Sequence, residues 1–198
     1  MAKVHPNTVI SEALAPTPEA CGESAVLTVW RKSLLFNCSG FTVFDAKGNL
    51  VYRVDNYVSG SRGEVLLMDA AGKPLLTLRR KRLSLGDRWL VYEGEEAANP
   101  RFSVKKHLGF LHSKALAHVA PCAPAGARQR AFEVEGSYSR RCCAVYDDRR
   151  RRLAEIRTKE AVGGVGFGVD VFRLVVEPGF DSAVAMAVVL LLDQMFSS

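Results

Sequence analysis

No stretch of this 198-residue sequence is apolar for long enough to span a bilayer. The longest unbroken apolar run, residues 183–192, has ten members and is closed by Asp193 and Gln194 with no basic flank. A spanning helix needs roughly twenty. No secretory leader is expected either. The opening residues, MAKVHPNTVISEALAPTPEAC, lack a continuous apolar core, lack the arginine-rich face of a transit peptide, and do not begin with the Met-Gly that myristoylation requires. Cysteine is scarce and odd in number: Cys21, Cys38, Cys122, Cys142 and Cys143, the last two adjacent and unable to bridge each other without strain. Reduced thiols in a cytosolic or nuclear compartment are the expectation from the cysteines; the location expected is cytoplasmic, with attachment to the periphery of the plasma membrane or a nuclear location as extensions.

The sequence is equally poor in catalytic and metal-binding signatures. It has no Asp-x-Asp-x-Asp-Gly calcium loop, no P-loop and no nucleophile elbow, and no Ser-His-Asp set can be drawn on strands in the required order. Residues 163–168, GGVGFG, are rich in glycine, but a strand follows them where a phosphate-cradling loop needs a helix N-terminus. A hairpin connection is the expectation there. His107, His112, His118 and Cys122 fall in a short window, yet their spacing matches no common zinc finger and no CxxC pair anchors them. Neither an enzyme nor a metal or cofactor site is expected.

What the sequence does have is a globular composition. Hydrophobic residues make up 48%, and 27 Lys and Arg against 21 Asp and Glu leave a net charge of +6, a mild bias toward anionic partners. Residues 1–23, with Pro6, Pro16 and Pro18, read as a flexible tail ahead of one domain over 24–198. About twelve strand-like segments follow: 25–30, 41–44, 50–57, 64–68, 74–83, 88–92, 101–105, 115–119, 131–134, 142–146, 153–158 and 169–176. FDAKGNL at 44–50 and MDAAGKP at 68–74 place Asp and then Gly at the same offset between apolar runs, as hairpin tips do. YDDRRRRL at 146–153 repeats the frame without the glycine.

The apolar run near the end completes the architecture. Good helix formers fill it and Asp181 opens it, so residues 181–196 read as a helix that is apolar on every side and must be enclosed. A helix is about 10 to 12 Å across with its side chains. A barrel of eight strands is filled by its own side chains, whereas one of eleven holds a central helix. A mainly β fold is therefore expected, a closed barrel of about twelve antiparallel strands around a hydrophobic C-terminal helix.

Two segments carry a family resemblance. Residues 167–195, FGVDVFRLVVEPGFDSAVAMAVVLLLDQM, and residues 76–89, LTLRRKRLSLGDRW, followed by LVYEG, resemble signatures of the plant LURP-one-related family over roughly residues 24–196. That family is similar in fold to the tubby C-terminal domain and the phospholipid scramblases, twelve-stranded barrels around a hydrophobic helix. The resemblance implies a plant protein with a link to defence and implies no catalysis. Tubby domains bind phosphatidylinositol bisphosphate through basic residues, but none of those positions aligns here residue by residue. Scramblases carry an acidic calcium segment, which this sequence lacks.

Candidate binding residues are therefore sought in the basic clusters. Arg79, Arg80, Lys81 and Arg82 lie within a strand whose alternation sends two to each face, so the strand must leave the barrel there or pair one face with buried acids. Arg140 and Arg141, with Arg149, Arg150, Arg151 and Arg152, flank another strand, where Asp147 and Asp148 offset part of the charge. The ordinary reading of both sets is a solvated strand end; the functional one is a patch for anionic phospholipid headgroups, held by guanidinium forks. Cys142 and Cys143 beside them could accept palmitate, though alternation turns one thiol inward. A monomer is expected. The alternative partners are a protein or, less favoured because no aromatic platform accompanies the arginines, nucleic acid.

Overall fold

The computed structural model describes residues 22–35, 38–55, 63–81, 87–95, 98–107, 114–122, 130–160 and 168–197. The expectations for residues 1–21, Arg82, His112 and the glycine-rich stretch up to Phe167 lie outside them. The strands are β1 (Ala25–Trp30), β2 (Phe41–Phe44), β3 (Leu50–Val54), β4 (Glu64–Asp69), β5 (Pro74–Arg80) and β6 (Arg88–Glu93). Then come β7 (Pro100–Lys106), β8 (Ala115–Pro121), β9 (Phe132–Ser137), β10 (Cys142–Asp147), β11 (Arg152–Thr158) and β12 (Val171–Val176), before the helix α1 (Ser182–Phe196). Every strand pairs with its sequence neighbours, and β1 pairs antiparallel with β12 from Ala25↔Val176 to Trp30↔Val171, which closes the barrel. An up-and-down antiparallel meander closes this way only with an even number of strands.

Alternation explains why these segments are strands. Along β12, Phe172, Leu174 and Val176 are buried and the residues between them are not; Leu27 and Val29 repeat the pattern on β1, and Cys143 and Val145 on β10. The inward faces meet α1, whose residues from Val184 to Asp193 are all buried. Fifteen residues at 1.5 Å each give a helix of about 22 Å, which fits strands of this length. Asp181 caps it, its Oδ1 accepting the backbone N–H of Ala183 at 2.9 Å and of Val184 at 3.4 Å.

The hairpin tips have the expected chemistry. Asp45 Oδ1 accepts the N–H groups of Lys47 and Asn49, Asp69 Oδ1 that of Lys73, and Gly48 and Gly72 take φ of 86° and 87°. In the frame without glycine, Asp147 Oδ1 accepts from Arg149 and Arg151, and Arg150 itself adopts the left-handed conformation at φ 61°. The strand pairs β2–β3, β4–β5, β6–β7 and β10–β11 each shift register just before their turn, which adds local twist at that end of the barrel.

Several edges differ from the sequence expectation. The fifth strand ends at Arg80 and not at residue 83, because it reaches the end of the barrel there. The ninth continues past residue 134 to Ser137, since Gly136 lets the chain stay paired against Cys143. A Cβ on Gly136 would collide with the carbonyl oxygen of Cys142, and its φ of 116° is a second reason for glycine. The twelfth begins at Val171, two residues later than expected.

Candidate functional site

Strand parity sorts the connections into two rims. The β2–β3, β4–β5, β6–β7, β8–β9 and β10–β11 turns gather at the end where α1 begins, marked by the Arg101 to Asp181 ion pair at 3.4 Å. The β1–β2, β3–β4, β5–β6, β7–β8, β9–β10 and β11–β12 connections gather at the end where α1 stops, marked by Lys106 Nζ donating to the carbonyl of Met195 at 2.5 Å. They are called here the amino rim and the carboxyl rim. The basic clusters consequently part company: Arg79, Arg80, Lys81, Arg140 and Arg141 stand at the carboxyl rim, and Arg149, Arg150, Arg151 and Arg152 at the amino rim.

At the carboxyl rim much of the expected positive charge is already engaged. Arg79 sits on the outer wall directly opposite Glu64, with Nε 2.8 Å from Glu64 Oε2 and the guanidinium 5.7 Å from the centre of the Tyr92 ring. Arg80 ends its strand and pairs with Asp87. Arg141 is a correction to the expected surface patch, because it is 4% exposed and cannot reach a headgroup. Its guanidinium lies 4.1 Å from the ring centre of Tyr138 and 4.5 Å from that of Phe172, and its Nε donates to the carbonyl of Val169 at 2.8 Å. It closes the barrel end as a stacked plug. Below it, fully buried Asp193 accepts the hydroxyl of Tyr138 at 3.0 Å and lies 3.3 Å from Arg31. Burial among these groups raises the Tyr138 phenol above its usual range, so the hydroxyl stays a donor. Lys81 and Arg140 are exposed, and no carboxylate among the described residues forms an ion pair with either.

The amino-rim arginines are more fully neutralised. Arg150 clamps Glu135 through two hydrogen bonds, of 2.6 and 3.1 Å, and lies over Tyr146. Arg151 holds Asp147 Oδ2 at 2.8 Å, and Arg152 bridges Glu155 at 2.7 Å and Glu177 at 3.1 Å. Hydrogen bonds from Arg150 and Arg157 hold Glu135 and Glu155 respectively below the usual carboxylate range. Asp147 is also lowered: burial acts to raise it, and the Arg151 amide and guanidinium with the Arg149 amide outweigh that. Of the four arginines, Arg149 alone has no ion pair among the described residues.

The carboxyl rim also exposes large apolar side chains. Trp30 at the end of β1 is 42% exposed, Leu34 and Leu35 in the following loop are 53% and 43% exposed, and Val169 is 54% exposed. Lys32 stands between them with its ammonium 5.3 Å from the centre of the Trp30 ring. This patch adjoins a groove of about 430 Å³ on the outer wall, lined by Thr28, Trp30, Phe44, Lys159 and Val171 among others.

A family model described as LURP-one-related matches residues 25–193. Protein LURP-one-related 8 of Arabidopsis thaliana is 48% identical over 204 residues, with 100% of both chains covered. The chain belongs to the LURP-one-related family. Protein LURP-one-related 17 of the same plant is similar too, 40% identical over 202 residues that cover 96% of this chain and 90% of that one. The X-ray structure of an Arabidopsis thaliana protein matches with a TM-score of 0.62 over 86% of this chain and 90% of that one, at 24% identity, a likeness of fold.

Other candidates are dispersed by the LURP-one-related barrel. His107 stands at the carboxyl rim and Cys122 at the amino rim, while His118 faces Glu133 on the outer wall, 3.7 Å away. Cys142 is exposed and Cys143 buried, as alternation requires, and burial pushes the Cys143 thiol up to about 12. No described helix is long and apolar enough to cross a membrane. The exposed Trp30 patch had a signal in the sequence: in VLTVW the inward Leu27 and Val29 leave Val26 and Trp30 on the outer face. Trp30 obeys the alternation in direction but departs from it in chemistry, since the outer face of a water-exposed strand is ordinarily polar.

Proposed function

We propose that this LURP-one-related barrel is a non-catalytic module that docks by its carboxyl rim onto anionic phospholipid surfaces, phosphoinositide-bearing ones included, at the cytoplasmic face of a membrane. The observation that carries this reading is the coincidence, at one end of the barrel, of exposed Trp30, Leu34 and Leu35 with Lys32, Lys81 and Arg140, exposed cations that form no ion pair with a carboxylate among the described residues. The division of labour is physical. Leucine and tryptophan side chains enter the boundary between headgroups and acyl chains, and each Lys or Arg close to an anionic leaflet adds about 1 kcal/mol. Neither part alone gives durable attachment. The tubby-like character and the defence association implied by the sequence resemblance belong to the same proposal.

Co-sedimentation with vesicles tests it. Binding is expected to phosphatidylcholine vesicles doped with phosphatidylinositol bisphosphate, to weaken with salt, and to fall at least about tenfold in Leu34→Glu with Leu35→Glu, whose exposed positions leave the melting temperature unchanged. Equal binding to neutral vesicles, or no effect of the double variant, refutes the reading. A second reading, a regulatory protein that binds a partner chain, draws on the outer-wall groove at Trp30 and Phe44. Retention of a partner by the Leu34, Leu35 variant and its loss in Phe44→Ala would favour that reading.

A further inference from the structure

The amino rim holds a second feature that membrane docking at the opposite end does not use. Beside the start of α1 a cavity of about 280 Å³ opens to solvent. Its floor is aromatic: Phe102 and Phe132 meet edge to face at 5.8 Å and 68°, and Phe132 and Phe180 at 5.5 Å and 83°. Such edge-to-face contacts fix ring positions, so the floor is preorganised. Three guanidinium groups surround it, from Arg101, Arg130 and Arg151.

The balance of donors and acceptors around this cavity is uneven. Its two carboxylates, Asp147 and Asp181, are occupied on both oxygens. Asp181 Oδ1 takes the first amides of α1 and its Oδ2 takes Arg101 at 3.4 Å; Asp147 Oδ1 takes the Arg149 and Arg151 amides and its Oδ2 the Arg151 guanidinium. The helix terminus is thus capped from within and is not itself the attraction. Arg101 is engaged by Glu93 as well as by Asp181, whereas Arg130 and Arg151 keep donors to spare among the described residues. A guanidinium has five N–H groups. Among the described residues the one carboxylate paired with Arg130 is Asp148, at 3.9 Å, beyond hydrogen-bond reach, and Arg151 engages Asp147 through Nε and Nη2 alone. Arg101 lies 5.2 Å from the centre of the Phe102 ring, which aligns it with the edge of the floor.

We infer that this cavity binds a small organic anion, with an aromatic or short aliphatic body resting on Phe102, Phe132 and Phe180 and a phosphate or carboxylate held by Arg130 and Arg151. An apolar floor with a few convergent polar groups is the ordinary construction of a small-molecule site, and the volume suits a ligand at the small end of that range. Forked hydrogen bonds from the arginines would supply direction and the rings would supply the contact area. The site stands at the other end of the barrel from the docking surface, so either can fail without the other.

Phenyl phosphate is a suitable probe, titrated into the isotopically labelled full chain and followed by NMR through the backbone amides of residues 179–184 and the arginine Nε–H signals. Saturable shifts confined to the cavity are expected, with a dissociation constant of about 0.1 to 1 mM, ordinary for a ligand of this size. Affinity is expected to be at least about fivefold greater than for inorganic phosphate or for phenol, since each lacks half of the recognition. Arg130→Gln, at a half-exposed position, should keep the melting temperature and weaken binding about tenfold; Ala131→Leu, which narrows the cavity, is a second variant with the same expected direction. Equal binding of inorganic phosphate or phenol, unchanged affinity in Arg130→Gln, or shifts outside the cavity overturns the inference. So does a result in which vesicles containing phosphatidate bind in an Arg130-dependent way and phenyl phosphate does not, because the rim would then read a lipid headgroup and the floor would have no role.

Discussion

The basic clusters at the two rims, Arg79 to Lys81 with Arg140 and Arg141 at one and Arg149 to Arg152 at the other, are of similar size and are used differently. At the amino rim the sequence looks most strongly charged, with four consecutive arginines, yet Arg150, Arg151 and Arg152 are held by Glu135, Asp147, Glu155 and Glu177. At the carboxyl rim the charge is divided among several connections, and Lys32 and Arg140 stand exposed at the same end as Trp30 and Leu34. A run of like charge in a sequence therefore measures little until the carboxylates brought to it by strand register are counted. Solvated ion pairs of the amino-rim kind contribute about 0 to 1 kcal/mol each and leave little field for a distant anion.

Both rims hang on α1, and removing it is the largest perturbation available. A chain ended before Ser182 loses more than ten buried residues, most of them apolar. Each large one is worth about 1.5 to 3 kcal/mol against a domain stability of about 5 to 15. The expected result is no cooperative thermal transition and no dispersed NMR spectrum at either rim. A truncated chain that still melts cooperatively would show that the rims are held by the strands alone.

The next largest effect separates neighbours at the carboxyl rim. Arg141→Ala removes a guanidinium stacked between Tyr138 and Phe172 and leaves the Val169 carbonyl without that donor. A loss of about 2 to 3 kcal/mol is expected in chemical denaturation. Arg140→Ala, one residue away and exposed, should stay within about 0.5 kcal/mol. If the two variants are equally mild, Arg141 is a surface residue after all and returns to the list of headgroup contacts.

That contrast also marks where the sequence was legible. The twelve strands and the enclosed helix rest on local information: period-two alternation, Asp and Gly at hairpin tips, and a run of apolar helix formers opened by Asp181. Those signals survive without knowing which strands touch. The fate of the charges rests on pairing, because Glu64 faces Arg79 across a strand pair and Glu135 lies 15 residues before Arg150. No spacing rule joins them. The rim assignment falls between these cases, since strand parity alone would have placed Arg80 and Arg150 at opposite ends once the meander was assumed.

Acid should act on the amino rim. Glu135, through its hydrogen bond from Arg150, Glu155, through Arg157, and Glu177, through Ser24, all sit below the ordinary carboxylate value of 4.5. Groups that ionise more readily in the folded chain stabilise it above their unfolded values, and that contribution fades as the pH falls through their lowered folded values. Denaturation midpoints should therefore decline from about pH 6 to about pH 3, and Arg150→Gln should make the decline shallower. A midpoint that is flat over that range would mean that the pairs are too solvated to matter.

The smallest effect bears on why an arginine occupies a turn that two sister hairpins build with glycine. Arg150 takes the place of Gly48 and Gly72, and at φ 61° a side chain there costs about 1 kcal/mol. Its clamp on Glu135 returns about the same, as an exposed forked pair does. Arg150→Gly relieves the backbone and loses the clamp, so stability should move by no more than about 0.5 kcal/mol. Arg150→Ala loses the clamp and keeps the strained φ, and should fall by about 0.5 to 1 kcal/mol. The order of the two variants decides the matter: if alanine is as stable as glycine, the left-handed conformation is not strained at this tip. The arginine would then be there for the Glu135 clamp alone, and the amino rim would owe nothing to backbone geometry.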